Sequence, residues 1–316
     1  MHPPGIDVLC VMVNKRDFLS VTDLSPAETR QIIQRARQMK AQGWGQPLAG
    51  KNIALLFEKP SLRTRVSFQV GIQQLGGYSI YLGQQEVGLG VREPVYDIAK
   101  VLSGYVDCII ARVFSHQHLA ELARYASVPV INALSDLEHP CQIMADLLTI
   151  AEHKETLEGL KLAFIGDGNN VSRSLCLAAT AVGMSFAIAS PAGYNLDEAS
   201  VKAARQRSTS KSVQVLSLSD PATAVQGADV VYTDTWTSMG QEAEAEVRRR
   251  DFRGYTVDAT LMSKANPDAL FMHDMPVHYG EEVPPGMLDH PQSVAFAQAH
   301  NRLHAQRAVL EFFLGQ

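Results

Sequence analysis

Short apolar runs alternate with helix-periodic stretches along most of this 316-residue chain, and no other feature constrains the fold as strongly. Ile53–Phe57, Tyr78–Leu82, the run VDCIIARVF ending at Arg112, and Val128–Leu134 are each of strand length. Between them, Phe68, Ile72 and Leu75 recur at helical spacing, and PVYDIAKVLSGY reads as a second helix. Parallel strands need a crossover of about a dozen residues, usually a helix, so this order predicts βαβ units. The pattern restarts at Leu162–Ile165 and continues through SFAIASP, Val230–Asp234, GYTVDATL and ALFMHDMP, each expected to be a strand. The loop QQEVGLGVRE is expected to have no regular structure. The fold class is therefore α/β, with two parallel-sheet units and no internal sequence repeat.

Helix punctuation supports this division. Ser25 opens a helix with Pro26 at its first position and Glu28 at the capping-box position. A long helix is expected from near Ser135 through Leu148, linking the two units. HNRLHAQRAVLEFFL closes the chain as an amphipathic helix.

Composition excludes several classes of function. Hydrophobic content of 46% against 19% charged residues supports a sizeable core and excludes disorder. A net charge of -5 disfavours a nucleic-acid partner. Cys10, Cys108, Cys141 and Cys176 are scattered, without metal-ligand spacing, as expected in a reducing cytoplasm. The apolar run Val8–Val13 is too short to cross a bilayer and lacks a basic flank, so no membrane partner is expected.

Chemistry-bearing residues cluster where strands end. In FEKPSLRTR, a buried strand runs into Pro60 and Ser61 and then a helix. Free backbone N–H groups and the positive end of the helix dipole make such a junction an anion site. Ser61 and Thr64 add hydroxyls, and Arg63 and Arg65 add planar forks suited to phosphate. Arg112 ends another strand, on the sheet edge where open α/β folds bind ligands. His139 and Gln142 stand at a loop-to-helix junction whose turn Pro140 fixes. GDGNN at Gly166–Asn170 follows a strand as a dinucleotide fingerprint would, but the third glycine is missing. Asn169 and Asn170 suit recognition of a small polar ligand instead. In DTWTSMG, Asp234–Gly240, an acid, a hydroxyl and backbone amides could grip an α-amino and α-carboxyl pair. The run QEAEAEVRRR after it is expected to be a solvated helix face.

Ser-x-Arg-Thr-Arg at 61–65, His-Pro-x-Gln at 139–142 and Asp-x-Trp-x-Ser-Met-Gly at 234–240 resemble the motifs of the aspartate and ornithine transcarbamylases. The last string is characteristic of the ornithine branch. The resemblance extends from about Phe18 onward. It implies two Rossmann-like parallel-sheet domains joined by interdomain helices: an N-terminal extension at 1–17, a carbamoyl-phosphate-binding domain at 18–150, an ornithine-binding domain at 151–291, and a C-terminal helix at 292–316 packing back on the first domain. It further implies that Ser61, Leu62, Arg63, Thr64, Arg65, Gln85, Arg112, His139, Gln142 and Arg302 bind carbamoyl phosphate, Gln85 coming from a neighbouring subunit. Asn170, Asp234, Ser238, Met239, Asp274 and Met275 would bind ornithine, and Arg112, His139, Asp234 and Asp274 would carry catalysis. Arg173 would stand outside the contact shell.

The implied reaction forms citrulline and phosphate and needs no metal, nucleotide or other cofactor. The implied assembly is a cytoplasmic homotrimer or a multiple of trimers. One position departs from the family: HDMP at 273–276 stands where ornithine transcarbamylases usually have His-Cys-Leu-Pro. A free aspartate titrates near ~4, so Asp274 is expected to be ionised at neutral pH unless burial beside Asp234 raises its pKa. Three other readings stay open: a transcarbamylase for another amine such as putrescine or an acylated ornithine, a nucleotide-binding oxidoreductase, and a non-catalytic binding or regulatory paralogue.

Overall fold

The computed structural model describes residues 15–208, 210–238 and 240–315. Strands β1 (Asn52–Phe57), β2 (Tyr78–Gly83), β3 (Cys108–Arg112) and β4 (Val130–Leu134) form a parallel sheet in the order β2-β1-β3-β4. Strands β5 (Lys161–Ile165), β6 (Ser185–Ala189), β7 (Val215–Leu218), β8 (Val230–Thr233) and β9 (Leu270–His273) form a second parallel sheet in the order β7-β6-β5-β8-β9. Helices cover both faces of the central strands. That is why all five residues of β3 are buried and read as a continuous apolar run rather than an alternating one.

Each sheet has a point where the strand order reverses. In the first it lies between β1 and β3, and the register sets Phe57 beside Arg112. In the second it lies between β5 and β8, with Ile165 beside Thr233. The loops leaving those four strand ends therefore flank crevices at the carboxyl edges of the sheets, where open α/β folds place their ligands.

Two helices tie the units together. Helix Pro140–Lys154 is buried continuously from Pro140 to Ala151. It packs against the C-terminal helix, Ala295–Leu314, which also lies on helices Pro26–Gln42 and Leu62–Gln74. Asn301 of the C-terminal helix donates to Thr149 Oγ1 at 3.0 Å, and Arg307 donates to Gln74 Oε1 at 2.9 Å. At the amino-terminal end, the Ser25 capping box with Glu28 forms as expected.

Several sequence expectations need correction. GYTVDATL is not a strand: the Asp258 side chain accepts from Leu261 N–H and starts the short helix Ala259–Met262. β7, a four-residue edge strand with two exposed positions, was not foreseen. The long helix begins at Pro140 rather than near Ser135, because Ser135–Glu138 closes a turn of its own, with Ser135 N–H donating to Glu138 O at 3.0 Å. The loop after β2 holds one helical turn, Gln84–Val87. The expectations for residues 1–14, including the run Val8–Val13, lie outside the described residues.

Candidate active site

Ser61 is the N-cap of helix Leu62–Gln74, with its side chain accepting from Thr64 N–H. Thr64 is fully buried, and its Oγ1 accepts from Ser61 Oγ at 2.9 Å and from Arg302 Nη2 at 2.6 Å. Arg63 stands in the same first turn, Arg112 at the neighbouring strand end, and Arg302 arrives from the C-terminal helix. The Nε atoms of all three are buried without a hydrogen-bond partner among the described residues. Burial, with repulsion from Arg302 and Arg63 and partial relief from Asp274, pushes the Arg112 guanidinium down to about 9. Three cations held this close are stabilised by an anion between them.

His139 caps helix Pro140–Lys154 and shares this wall. Its backbone N–H donates to Ser174 Oγ at 3.0 Å, while the ring Nδ1 has no partner among the described residues. Burial, then Arg302 and Arg112, hold the imidazole well below its ordinary pKa, so it is neutral at neutral pH. A neutral ring beside three guanidiniums can polarise a carbonyl oxygen without adding a fourth charge.

Across the cleft stand the loops after β5 and β8. Asn169 caps helix Asn170–Ala181 through Oδ1, and its Nδ2 donates to Asp234 Oδ2 at 2.7 Å. Asn170 Nδ2 donates to Ser135 O at 2.7 Å, which ties the second unit to the first. A Cβ on Gly168 would collide with the Asn195–Leu196 peptide, so this glycine serves loop packing and not a dinucleotide phosphate. Asp274 faces Asp234. Burial first, then the charge of Asp234 and a hydrogen bond with it, raise the Asp274 carboxyl well above its usual range. Burial beside Asp234 thus shifts Asp274 toward its protonated form, the exception that the sequence expectation named. Met275 adopts a left-handed backbone, φ 60°, held by its N–H on His273 Nδ1 at 2.8 Å.

Asp234, His273 and Asp274 each direct one ligand-type atom within 4.8 Å of the others. Both ring nitrogens of His273 are already engaged, Nδ1 by Met275 N–H and Nε2 by Glu282 at 3.3 Å. The trio is therefore not a preformed metal site.

The two walls enclose a cleft of about 800 Å³. Of the expected residues, Ser61, Leu62, Arg63, Arg112, His139, Asn170, Asp234, Ser238, Asp274, Met275 and Arg302 line it. Thr64 and Gln142 lie beneath its surface, both fully buried. Arg65 does not reach it: the side chain is exposed and its guanidinium lies 3.7 Å from the Tyr81 ring centroid. An i+2 position on a helix points to a different face from Arg63, which the motif spacing alone conceals. Gln85 is exposed and outside the cleft of its own chain. Met239 lies outside the described residues. Arg173 stays off the cleft, near Asp197 at 3.3 Å.

Residues that sequence reasoning missed also line the cleft: Lys59, Asp136, Asp167, Tyr194, Arg248 and His278. Arg248 corrects the expectation of a solvated face. It is buried, and Nη1 donates to Asp167 Oδ2 at 2.7 Å and to Trp236 O at 3.0 Å. Its i,i+4 spacing from Glu244 is visible in the sequence, but nothing there separates it from the solvated face expected for the run.

Comparison with known proteins agrees with this geometry. Residues 16–152 match the family model described as aspartate/ornithine carbamoyltransferase, carbamoyl-P binding domain. Residues 158–313 match that of the Asp/Orn binding domain of the same family. The chain is 48% identical over 311 residues to the ornithine carbamoyltransferase of Pyrococcus abyssi, covering 97% of this chain and 98% of that one. It is 50% identical over 305 residues to that of Carboxydothermus hydrogenoformans, covering 95% and 98%. The solved ornithine carbamoyltransferase of Pyrococcus furiosus superposes with a TM-score of 0.91 at 47% identity, covering 95% of this chain and 97% of that one. With both domain models matched in order and the cleft lined by residues of both, the chain belongs to the aspartate/ornithine carbamoyltransferase family.

Proposed function

We propose that this protein transfers the carbamoyl group of carbamoyl phosphate to the δ-amine of L-ornithine, releasing L-citrulline and phosphate. The observation that carries the reading is the cleft itself: three converging arginines with unsatisfied Nε–H donors on one wall, and carboxyl, amide and hydroxyl groups on the other. Ser61, Arg63 and the first-turn amides hold the phosphate, with Thr64 locking Arg302 in place. Arg112 and neutral His139 polarise the carbamoyl oxygen and stabilise the tetrahedral oxyanion. The neutral δ-amine attacks the carbamoyl carbon, the C–O bond to phosphate breaks, and the amine proton leaves with the phosphate or to solvent. Orientation of two bound reactants supplies much of the rate. Asn170, Asp234 and the 238–240 loop take the amino-acid end of ornithine.

We assign 18–150 to carbamoyl phosphate, 151–291 to ornithine and 292–316 to the clasp between them. A homotrimer would bring Gln85 of a neighbour to the cleft. Supporting this, β2 is an edge strand whose Tyr78 and Ile80 are 67% and 46% exposed, beside exposed Leu62 and Val66. Cys108, Cys141 and Cys176 are buried free thiols, in keeping with a cytoplasmic location. Among the described residues no helix is long and apolar enough to cross a membrane.

The test is citrulline formation from carbamoyl phosphate with a panel of amines. Ornithine should be preferred by orders of magnitude. Equal or better rates with putrescine or an acylated ornithine would redirect the assignment, and no turnover with any amine would leave a binding protein.

A further inference from the structure

Beneath the cleft lies a buried carboxylate that none of the steps above uses. Asp146 is fully buried on helix Pro140–Lys154. Its Oδ1 accepts from Gln142 Nε2 at 2.8 Å and from Gln298 Nε2 at 2.7 Å. Its Oδ2 accepts from Tyr232 Oη at 3.2 Å. Gln298 Nε2 also reaches Tyr232 Oη at 2.9 Å, and Gln298 Oε1 accepts from His273 N–H at 2.9 Å. The network therefore joins the helix that carries His139, strand β8, and the clasping C-terminal helix.

An ionised carboxylate is only an acceptor, and every neighbour of Asp146 in this network presents a donor. The ends of the Gln142 amide are thereby distinguished: the NH₂ must face Asp146. What remains is Gln142 Oε1, a fully buried acceptor with no partner among the described residues. Gln142 stands one turn from His139, and its N–H donates to His139 O at 3.0 Å. A buried acceptor left unpaired is costly unless a ligand's donor meets it.

We propose that Asp146 is a positioning residue: by holding the Gln142 amide with its oxygen free, it makes the site recognise the NH₂ of a carbamoyl group. The inference rests on the carbamoyl-phosphate reading above. Acetyl phosphate is the natural probe, because it replaces that NH₂ with a methyl group and keeps the rest of the acyl phosphate. Without Asp146 the Gln142 amide can turn round, and its NH₂ would then face a donor or a methyl with little difference.

The experiment compares carbamoyl phosphate and acetyl phosphate, the second as a competitive inhibitor, in wild type, Asp146→Leu and Asp146→Asn. Assays run well above the carboxyl's pKa, which burial pushes up to about 7 against the pull of Gln142, Gln298 and Tyr232. Asp146→Leu should lower the preference for carbamoyl phosphate about tenfold, one hydrogen bond's worth, while the Ki of acetyl phosphate holds. Asp146→Asn keeps the volume and one acceptor oxygen but can also turn an NH₂ toward Gln142. It should fold normally and narrow the preference by a smaller factor. Equal weakening of both acyl phosphates, or an unchanged preference in both variants, would make Asp146 a structural strut and overturn the proposal. Should Asp146→Leu fail to fold, an unchanged preference in Asp146→Asn overturns it alone. A wild type that transfers nothing from carbamoyl phosphate would instead defeat the underlying reading, so the two failures are distinct.

Discussion

Arg302 Nη2 donates to Thr64 Oγ1 at 2.6 Å across 238 residues of sequence. One end of the bond is in the first helical turn after β1, the other in the helix that closes the chain. The anion wall is thus completed only when the C-terminal helix has docked. Thr64, fully buried, fixes the guanidinium that stands beside Arg63 and Arg112.

That crowding has a measurable consequence for Arg112. Its charge is held at a cost set by burial and by its two arginine neighbours. Arg112→Ala should lower kcat/KM for carbamoyl phosphate by roughly 10²–10³, since a charge-assisted donor to the developing oxyanion is lost. The melting temperature should stay level or rise, because one of three repelling cations is gone. Initial rates and a thermal melt check both halves. Near-normal activity would remove Arg112 from the reacting centre.

Anions should stabilise the fold for the same reason. A ligand at a hundred times its Kd adds ~2.7 kcal/mol. Inorganic phosphate or carbamoyl phosphate should therefore raise the melting temperature in wild type, and much less in Arg63→Ala. An equal rise in both would place the anion elsewhere.

Much of this arrangement was readable from the chain, and the exceptions have physical causes. Strands buried on both faces leave continuous apolar runs, and the edge strand β2 is still rich in apolar and aromatic residues, so eight of the nine described strands, all but β7, stood out. β7 did not, because a short edge strand with two exposed positions carries little apolar signal. GYTVDATL failed in the other direction: it was expected to be a strand, but the Asp258 cap decided for a helical turn. Site residues borne by local motifs, such as Ser61 and His139, could be named. Arg248 and Asp146 could not, because each is defined by partners far away in sequence, Asp167 for the first and Gln298 for the second.

Arg248 anchors the segment that follows the DTWTSMG turn. Nε donates to Glu244 at 2.9 Å, and Nη1 reaches both Asp167 and Trp236 O. Arg248→Met keeps the packing against Tyr194, whose ring centroid lies 5.0 Å from the guanidinium carbon, but leaves the part-buried Asp167 without its counter-charge. A destabilisation of about 1–3 kcal/mol is expected, the cost of a lost charged hydrogen bond at a part-buried site. KM for ornithine should rise while that for carbamoyl phosphate holds. A parallel rise in both would mean the damage is general.

Amine selection tests the opposite wall. Putrescine lacks the carboxyl that the turn around Ser238 is proposed to grip, and would leave its polar groups unpaired. Its kcat/KM should fall at least ~10³-fold below that of ornithine. Comparable values would show that the wall reads only the reacting amine.

Asp274 gives the sharpest pH test. The titratable and charged groups that bear on it include Asp234, Asp146, Arg302, Arg112 and Tyr232, with His273 next in the chain at 3.6 Å. Burial and the two acids raise its pKa, and Arg302 opposes them only in part. A carboxyl with a raised pKa keeps its proton to higher pH in the native state than in the unfolded chain, which releases it near ~4. Across that window the native state binds more protons, so this group's contribution to stability falls as pH rises. Asp274→Asn imitates the protonated form. It should raise the melting temperature at neutral and alkaline pH and give no gain at strongly acidic pH. Activity follows the same logic. Wherever the wild-type carboxyl holds its proton, the Asn variant should turn over ornithine at close to the wild-type rate, because both present a neutral group. As the pH rises further the wild type acquires a negative charge at Asp274, which favours the ammonium form of the incoming amine and delays its deprotonation. The variant's kcat should therefore reach its plateau at lower pH than the wild type's. Rate profiles and melts across pH decide it. If both coincide with wild type throughout, Asp274 does not face the amine, and the carboxyl pair has no part in its deprotonation.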